Sequence, residues 1–143
     1  DELKEVVGVV GHPLAQMEGE SLTRALFRFE SGKTAVFDAM MIDTVFAPDP
    51  WWRITGSKGE LTINAGLDGA ELWLWDPDNP QGKMLFSSRG YTESFGPELA
   101  DFAAAVLDGK TLAAGPEQAL GELRAALAIY RSAETGQWEP VWT

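Results

Sequence analysis

Three kinds of residue in this 143-residue sequence could carry chemistry: one histidine, several carboxylates and a group of aromatic side chains. His12 is the only histidine and there is no cysteine, so a Cys/His metal site and a multi-histidine site are excluded. A Ser-His-Asp triad would have to use His12, which stands between Gly11 and Pro13, and the chain has no nucleophile-elbow sequence. We therefore interpret His12 as structural and predict no catalytic residue and no metal ligand.

Carboxylates could act as a general acid and base if two of them were held about 5–10 Å apart across a cleft. The candidates are Glu18, Glu20, Asp38, Asp43 and Asp49. Their spacing requires no such cleft, and a solvated surface is the commoner environment for them. Asp38 lies inside a predicted strand, where cross-strand pairing with Arg24 or Arg28 is the favoured interpretation.

Aromatic residues could stack on sugar rings, although packing in a core or a subunit interface is their commoner role. The candidates are Phe46, Trp51, Trp52, Trp73 and Trp75. The nearby stretch Gly56-Ser57-Lys58-Gly59 shares glycines and a lysine with phosphate-binding loops. It lacks the upstream glycine and the following helix of that motif, so it predicts a hairpin turn.

The elements that must position these residues are mostly strands. Alternating apolar residues predict strands over residues 3–12, 20–30, 33–43, 70–75 and 83–88, and a hairpin over 51–63. Asp76 to Pro80 is a strong turn signal. The period then lengthens to that of a helix, which predicts one helix from Gly96-Pro97-Glu98 to Gly109 and another from Gly115-Pro116 to Gly136.

Two apolar stripes are predicted, one on each helix: Leu99, Phe102, Ala103 and Val106, then Leu120, Leu123, Leu127 and Tyr130. A short final strand or tail covers residues 137–142. Strands followed by helices indicate an α+β fold, an open, mostly antiparallel mixed sheet with helices packed on one face. Several strands are apolar on both sides, so the face away from the helices should meet something other than water.

Composition narrows the class of protein. The length and the 45% hydrophobic content predict one globular domain over residues 1–143. A net charge of −11 argues against a nucleic-acid partner, and no apolar run is long enough for a membrane span. The chain has no signal peptide and no initiator methionine, so we expect a cytoplasmic protein and a segment cut from a longer one.

Several stretches resemble one family in their order and spacing. Glu18-Gly19-Glu20 leads into a strand, and residues 27–35 are similar to its phenylalanine-x-asparagine-glycine-x-x-alanine hairpin. Residues 52–61 resemble its isoleucine-x-Gly-[Thr/Ser]-Lys-Gly hairpin, and residues 98–109 and 117–136 are similar to its two terminal helices. This is the C-terminal domain of the glucose–fructose oxidoreductase and inositol dehydrogenase (Gfo/Idh/MocA) family, and the resemblance covers nearly the whole chain.

The resemblance implies a fold and a parent activity. Family members carry an N-terminal Rossmann domain for NAD or NADP, and their C-terminal domain closes over the substrate and oligomerises through its exposed sheet face. This chain has no Rossmann glycines, no Glu-Lys-Pro motif and no Asp-x-x-x-His pair. No cofactor is therefore expected in this chain, and NAD or NADP is expected in the full-length parent.

Substrate contact is what the resemblance can carry over. Inositol dehydrogenase-like members use the loop before the Gly-Thr-Lys-Gly hairpin to contact their substrates, which here implicates Asp43, Phe46, Asp49 and Trp51. The chain is predicted to be the substrate-binding and oligomerisation domain of an NAD(P)-dependent sugar or polyol oxidoreductase, inactive by itself. The alternative is a non-catalytic, sheet-mediated dimerisation module.

Overall fold

The computed structural model describes residues 1–41, 51–66 and 69–142, which fall into two compact units. Unit 1 comprises Asp1–Val45 and Ala114–Thr143, and unit 2 comprises Phe46–Ala113. In chain order the elements are β1 (Leu3–Gly11), β2 (Leu22–Phe29), β3 (Thr34–Met40), β4 (Trp52–Gly56), β5 (Gly59–Gly66), β6 (Gly69–Asp76), β7 (Asn79–Arg89), a 3-10 helix (Tyr91–Ser94), α1 (Phe95–Asp108), α2 (Pro116–Thr135) and β8 (Glu139–Pro140).

Both units contain an open antiparallel sheet of four strands, so the predicted α+β class is confirmed. The strand order is β3-β2-β1-β8 in unit 1 and β4-β5-β6-β7 in unit 2. Every strand pairing within the described residues is antiparallel. Where a short turn connects two consecutive strands, as between β2 and β3 and within unit 2, the strands must pair in antiparallel fashion.

Unit 1 is held together by α2 packed across β1, through side chains that are mostly small. Its buried apolar core consists of Val6, Ala25, Ala125, Ala128, Ile129 and Val141. Gly8 makes this close packing possible, because a Cβ there would lie 2.9 Å from the backbone oxygen of Arg24 and 3.2 Å from Cγ2 of Ile129. The helix therefore lies nearer to β1 than larger side chains would allow.

Ser132 links α2 by hydrogen bonds to β1 and to the segment that follows the helix. Its side chain is fully buried, its Oγ accepts the Gly8 N–H at 2.9 Å, and its hydroxyl donates to the Gln137 carbonyl at 2.7 Å. Strand β8 pairs with β1 only at Glu5 and Val6, so it does not extend along β1 as far as Gly8. The serine hydroxyl supplies the partner that a longer edge strand would have given.

Unit 2 is a four-stranded meander followed by the 3-10 helix and α1. The predicted hairpin is confirmed, with Gly56 paired to Gly59 across the turn. A Cβ at Gly59 would lie 2.5 Å from the Trp75 carbonyl oxygen, so β6 approaches β5 too closely for any other residue. At the turn between β6 and β7, Asp76 Oδ1 accepts the backbone N–H groups of Asp78 and Asn79 at 3.0 and 2.8 Å.

The turn between β6 and β7 explains a difference from the sequence prediction. The strand expected over residues 83–88 begins at Asn79, because the aspartate closes the reversal within two residues and the ladder resumes at once. Similarly, α1 begins at Phe95 rather than at Gly96, directly after the 3-10 turn. Pro97 is tolerated because the first N–H groups of a helix have no intrahelical partner. The final strand is shorter than predicted and covers only Glu139–Pro140.

Both helices end where glycine was predicted to end them. Gly109 and Gly136 adopt φ values of 66° and 67°, in the left-handed region that glycine enters without penalty. The face of α2 that packs on the sheet, however, is not the predicted leucine stripe. Leu123 and Leu127 are 57% and 49% exposed, whereas Ala128 is fully buried. The predicted stripe of α1 is exposed as well, with Phe102 at 60%.

Candidate functional site

The four residues predicted to contact substrate are only partly visible. Asp43, Phe46 and Asp49 lie outside the described residues. Trp51 is described and stands just before β4, where 69% of it is exposed. The structure therefore places one of the four and leaves their grouping as a prediction.

The last described residue before this segment, Met41, is anchored to a buried serine. Its backbone N–H donates to the Ser21 carbonyl at 2.9 Å. Ser21 is 2% exposed, and its own N–H donates to the Gly11 carbonyl at 2.9 Å. Its Oγ accepts the Leu14 N–H at 3.0 Å. One residue thus joins the end of β1, the connecting segment after it and the end of β3.

Glu20, immediately before this serine, is bound to α2. The Tyr130 hydroxyl donates to its carboxylate, which links the connecting segment to the helix. This bond, together with a backbone hydrogen bond to Glu20 and the nearby His12, lowers the pKa of Glu20 below its usual value. The same carboxylate raises the pKa of Tyr130, because it accepts the phenolic proton and repels a phenolate.

His12 also contributes to the connecting segment. Its Nδ1 lies 2.9 Å from the Gly19 carbonyl oxygen, which assigns the proton of a neutral ring to that nitrogen. The contact is local, between residues seven positions apart. It agrees with the interpretation of His12 as a structural residue.

The face of the unit 1 sheet opposite α2 is open and partly apolar. Its exposed side chains are Val9, Leu26, Val36 and Met40, with Val36 78% exposed. The predicted cross-strand pair is confirmed: Arg24 Nε lies 3.0 Å from Asp38 Oδ2. These groups border a shallow depression of about 280 Å³.

A second ion pair joins the same face. The Arg28 guanidinium contacts the Glu5 carboxylate and also lies 4.2 Å from the ring centre of Trp138. Each arginine on this surface therefore has a carboxylate partner on the neighbouring strand. The free face combines exposed apolar side chains with charges that neutralise each other.

Unit 2 contains the tryptophan pair that was considered for sugar stacking. The rings of Trp73 and Trp75 stack with centroids 6.2 Å apart and planes inclined by 28°. Trp73 Nε1 donates to Glu71 Oε2 at 2.9 Å, and Trp75 Nε1 donates to Thr62 Oγ1 at 3.1 Å. Both indole N–H groups are satisfied within the unit, which favours a packing role for the pair.

The described residues offer little for a cofactor or a metal. Across residues 1–41, 51–66 and 69–142, no group of three His, Cys, Asp or Glu side chains could hold a metal ion. The Gly56–Gly59 turn connects two strands, so its amides do not lie at a helix N-terminus as a phosphate site requires. None of the described helices is long and apolar enough to cross a membrane.

Two residues of this region escaped the sequence analysis. Ser132 lies within residues 117–136, which resemble the family's terminal helix, but the resemblance assigned it no role, and Tyr130 was predicted only as part of an apolar stripe. A polar residue on the inner face of an amphipathic helix is the signal that could have found Ser132. The Tyr130–Glu20 bond joins residues 110 positions apart, and only the folded chain reveals it.

Comparison with known proteins places these features in a family. A family model described as "Oxidoreductase family, C-terminal alpha/beta domain" matches residues 2–141. No curated protein matches the chain. Among solved structures, an NAD-binding oxidoreductase from Klebsiella pneumoniae is similar, with 18% identity and a TM-score of 0.80 over 99% of this chain and 46% of that one.

Two further structures are similar. Levoglucosan dehydrogenase in complex with NADH has 17% identity and a TM-score of 0.79, over 98% of this chain and 45% of that one. An aldose-aldose oxidoreductase from Caulobacter crescentus complexed with glycerol has 21% identity and a TM-score of 0.75, over 98% of this chain and 42% of that one. The chain thus spans less than half the length of these structures, and the likeness concerns the fold.

Proposed function

Because the chain belongs to the Gfo/Idh/MocA oxidoreductase family as its C-terminal alpha/beta domain, we propose that it serves as the substrate-recognition and self-association domain of an NAD(P)-dependent sugar or polyol oxidoreductase. The match over residues 2–141 is the observation that carries this proposal. The parent would transfer hydride between a substrate carbon and the nicotinamide. The residues of this chain would shape the pocket, in the cytoplasm, while other parts of the parent hold the cofactor.

Recognition is assigned to Asp43, Phe46, Asp49 and Trp51. Their residue types support the assignment, since carboxylates accept hydrogen bonds from sugar hydroxyls and aromatic rings stack on sugar faces. The exposure of Trp51 leaves its ring available for such a contact.

Isothermal titration of the full chain with D-glucose and with myo-inositol tests this role, with NADH and NADPH as further titrants. We expect weak polyol binding that is lost in Trp51→Ala and retained in Trp52→Ala, the adjacent exposed tryptophan. Tight binding of either dinucleotide by this chain would contradict the proposed division of labour.

Self-association is assigned to the free face of the unit 1 sheet. Val36 stands 78% exposed on this face, and Leu26 beside it is 46% exposed. Burying such side chains against a second copy contributes roughly 25 cal/mol per Å² of apolar surface. The paired charges on the face permit this burial without leaving an isolated ion.

Size-exclusion chromatography with light scattering measures the association. We expect a dimer or larger assembly for the unaltered chain and a monomer for Val36→Lys. Leu123→Lys is the matched control, because Leu123 is also exposed but lies on α2. A monomer at high protein concentration would overturn the assignment.

The second candidate function is a dimerisation module without a small-molecule role. The exposed apolar side chains and the two ion pairs on the free face favour it. A dimer that binds neither D-glucose nor myo-inositol would support this alternative over the first.

A further inference from the structure

We propose that Tyr130 is a positioning residue: its bond to Glu20 holds the segment of residues 12–21, so that Ser21 fixes the end of β3 from which the recognition segment departs. This inference deepens the proposed function and rests on it for its biological meaning. Its structural content concerns only described residues and can be tested separately.

The first step is the isolation of the connecting segment. Between the end of β1 at Gly11 and the start of β2 at Leu22, the described chain has no helix or strand. Its backbone hydrogen bonds outside regular elements are three: from Met17 to Leu14 at 3.2 Å, from Ser21 to Gly11 at 2.9 Å and from Met41 to Ser21 at 2.9 Å. Such a segment keeps one conformation only if side chains hold it.

The second step is the origin of the tether. Tyr130 projects from α2, the helix that carries the buried core of unit 1 through Ala128 and Ile129. These core residues immediately precede Tyr130, so its backbone position is fixed by packing. The phenol therefore transmits a fixed position from the helix to the carboxylate of Glu20.

The third step is transmission to β3. Glu20 is covalently joined to Ser21, which is 2% exposed and binds the backbone of Gly11, Leu14 and Met41. A displacement of Glu20 would move this serine out of a tightly packed site and weaken all three bonds. Met41 is the last described residue before the segment assigned to recognition.

The charge state of the tether supports its role. The hydrogen bond from Tyr130 acts most strongly on the Glu20 carboxylate, followed by a hydrogen bond from the backbone of Glu20 itself, and both favour its ionised form, as does the nearby His12. The lowered pKa keeps Glu20 ionised at neutral pH, so that it accepts the hydrogen bond from the phenol, and the raised pKa of Tyr130 keeps the phenol protonated. Acid that protonates Glu20 weakens this bond by removing the charge of its acceptor, and strong alkali that ionises Tyr130 removes its donor.

Amide hydrogen exchange of the full chain tests the inference. In Tyr130→Phe we expect exchange at Leu14, Ser21 and Met41 to rise about five- to ten-fold, because one charge-assisted bond is removed while the ring is kept. Thr135→Val is the control on the same helix, since it removes two exposed hydrogen bonds, the one that the hydroxyl donates to Glu139 and the one that it accepts from the Gln137 N–H. Unchanged exchange at Met41 in Tyr130→Phe would overturn the proposal.

A second measurement separates a specific bond from general packing. The phenol titration, followed by ultraviolet absorbance as the difference between the unaltered chain and Tyr130→Phe, should show the raised pKa of Tyr130. Glu20→Gln should bring that pKa back toward its ordinary value while the fold is retained by circular dichroism. An identical titration in Glu20→Gln would also overturn the proposal.

The two proposals fail in different ways. If Tyr130→Phe accelerates exchange at Met41 but the unaltered chain binds no polyol, the positioning role stands and the recognition role fails. If polyol binding is present and identical in Tyr130→Phe, with unchanged exchange, the positioning role fails and recognition stands.

Discussion

Removing the Ser132 hydroxyl is the most direct test of how unit 1 is assembled. Ser132→Ala keeps the β-carbon and introduces a residue that favours helix, but it leaves the Gly8 N–H and the Gln137 carbonyl without their hydrogen-bond partner. A buried group left unsatisfied costs about 1–3 kcal/mol. Gln137 is exposed, so water can reach its carbonyl, whereas the Gly8 N–H lies under α2 and bears most of the cost.

We therefore expect a loss of about 2 kcal/mol, which raises the population of the opened form roughly 30-fold. Native-state exchange of the Gly8 amide measures this opening locally, and urea unfolding followed by circular dichroism measures the global effect. Local exchange is the better observable because the chain has two compact units and need not unfold in one step.

The control is Thr135→Val, which removes from the same helix an exposed hydrogen bond to Glu139 and one from the Gln137 N–H, and should cost less than about 0.5 kcal/mol because water replaces both. If Ser132→Ala costs no more than this control, the hydroxyl does not hold β1 to the helix. The close approach at Gly8 would then be a matter of packing alone.

Further predictions concern glycines, charges and acid. Gly59→Ala should destabilise unit 2 by more than about 1–2 kcal/mol, because the added Cβ would lie 2.5 Å from a backbone oxygen. Gly96→Ala, in open space on α1, should stabilise by about 0.5–1 kcal/mol. Urea unfolding compares the two variants, and equal effects would contradict this reasoning. Asp38→Asn should cost less than about 1 kcal/mol, since the pair with Arg24 is about half exposed, and a larger loss at high salt would refute a surface pair. The pKa of Glu20 is lowered on folding, so its ionised carboxylate stabilises the folded state above the ordinary glutamate pKa, and this stabilisation is lost as the pH falls through the lowered pKa. In Glu20→Gln, the free energy of unfolding should therefore depend less on pH in the acid range. An unchanged pH dependence would contradict this argument.

The strands and their turns could be predicted because their signals are local. Glycine pairs and the Asp76-Pro77 sequence specify reversals from neighbouring residues alone, and the register follows from them. The pairing of Arg24 with Asp38 could also be predicted, since it follows from one hairpin register. The division of the strands between two sheets depends on where the pairing of consecutive strands stops, since each described pairing except that of β1 with β8 joins consecutive strands, and no local pattern marks that break.

The face that α2 presents to the sheet could not be predicted from periodicity. The helix has two apolar sides, one of leucines and one of small residues, and a helical period says only which positions share a side. The structure buries Ala125 and Ala128 because Gly8 offers room for a close approach, and that glycine is more than 100 positions away. The tether of Tyr130 to Glu20 escaped for the same reason.

The paired charges on the free face of the unit 1 sheet have an electrostatic consequence. Two copies of a chain with a net charge of −11 repel each other in most orientations. On this face, the pairs Arg24–Asp38 and Arg28–Glu5 cancel locally, so little field extends from it. If copies associate through this face as proposed, long-range repulsion from the rest of the surface would favour approaches in which the two neutralised faces meet, and added salt would weaken this orientation effect.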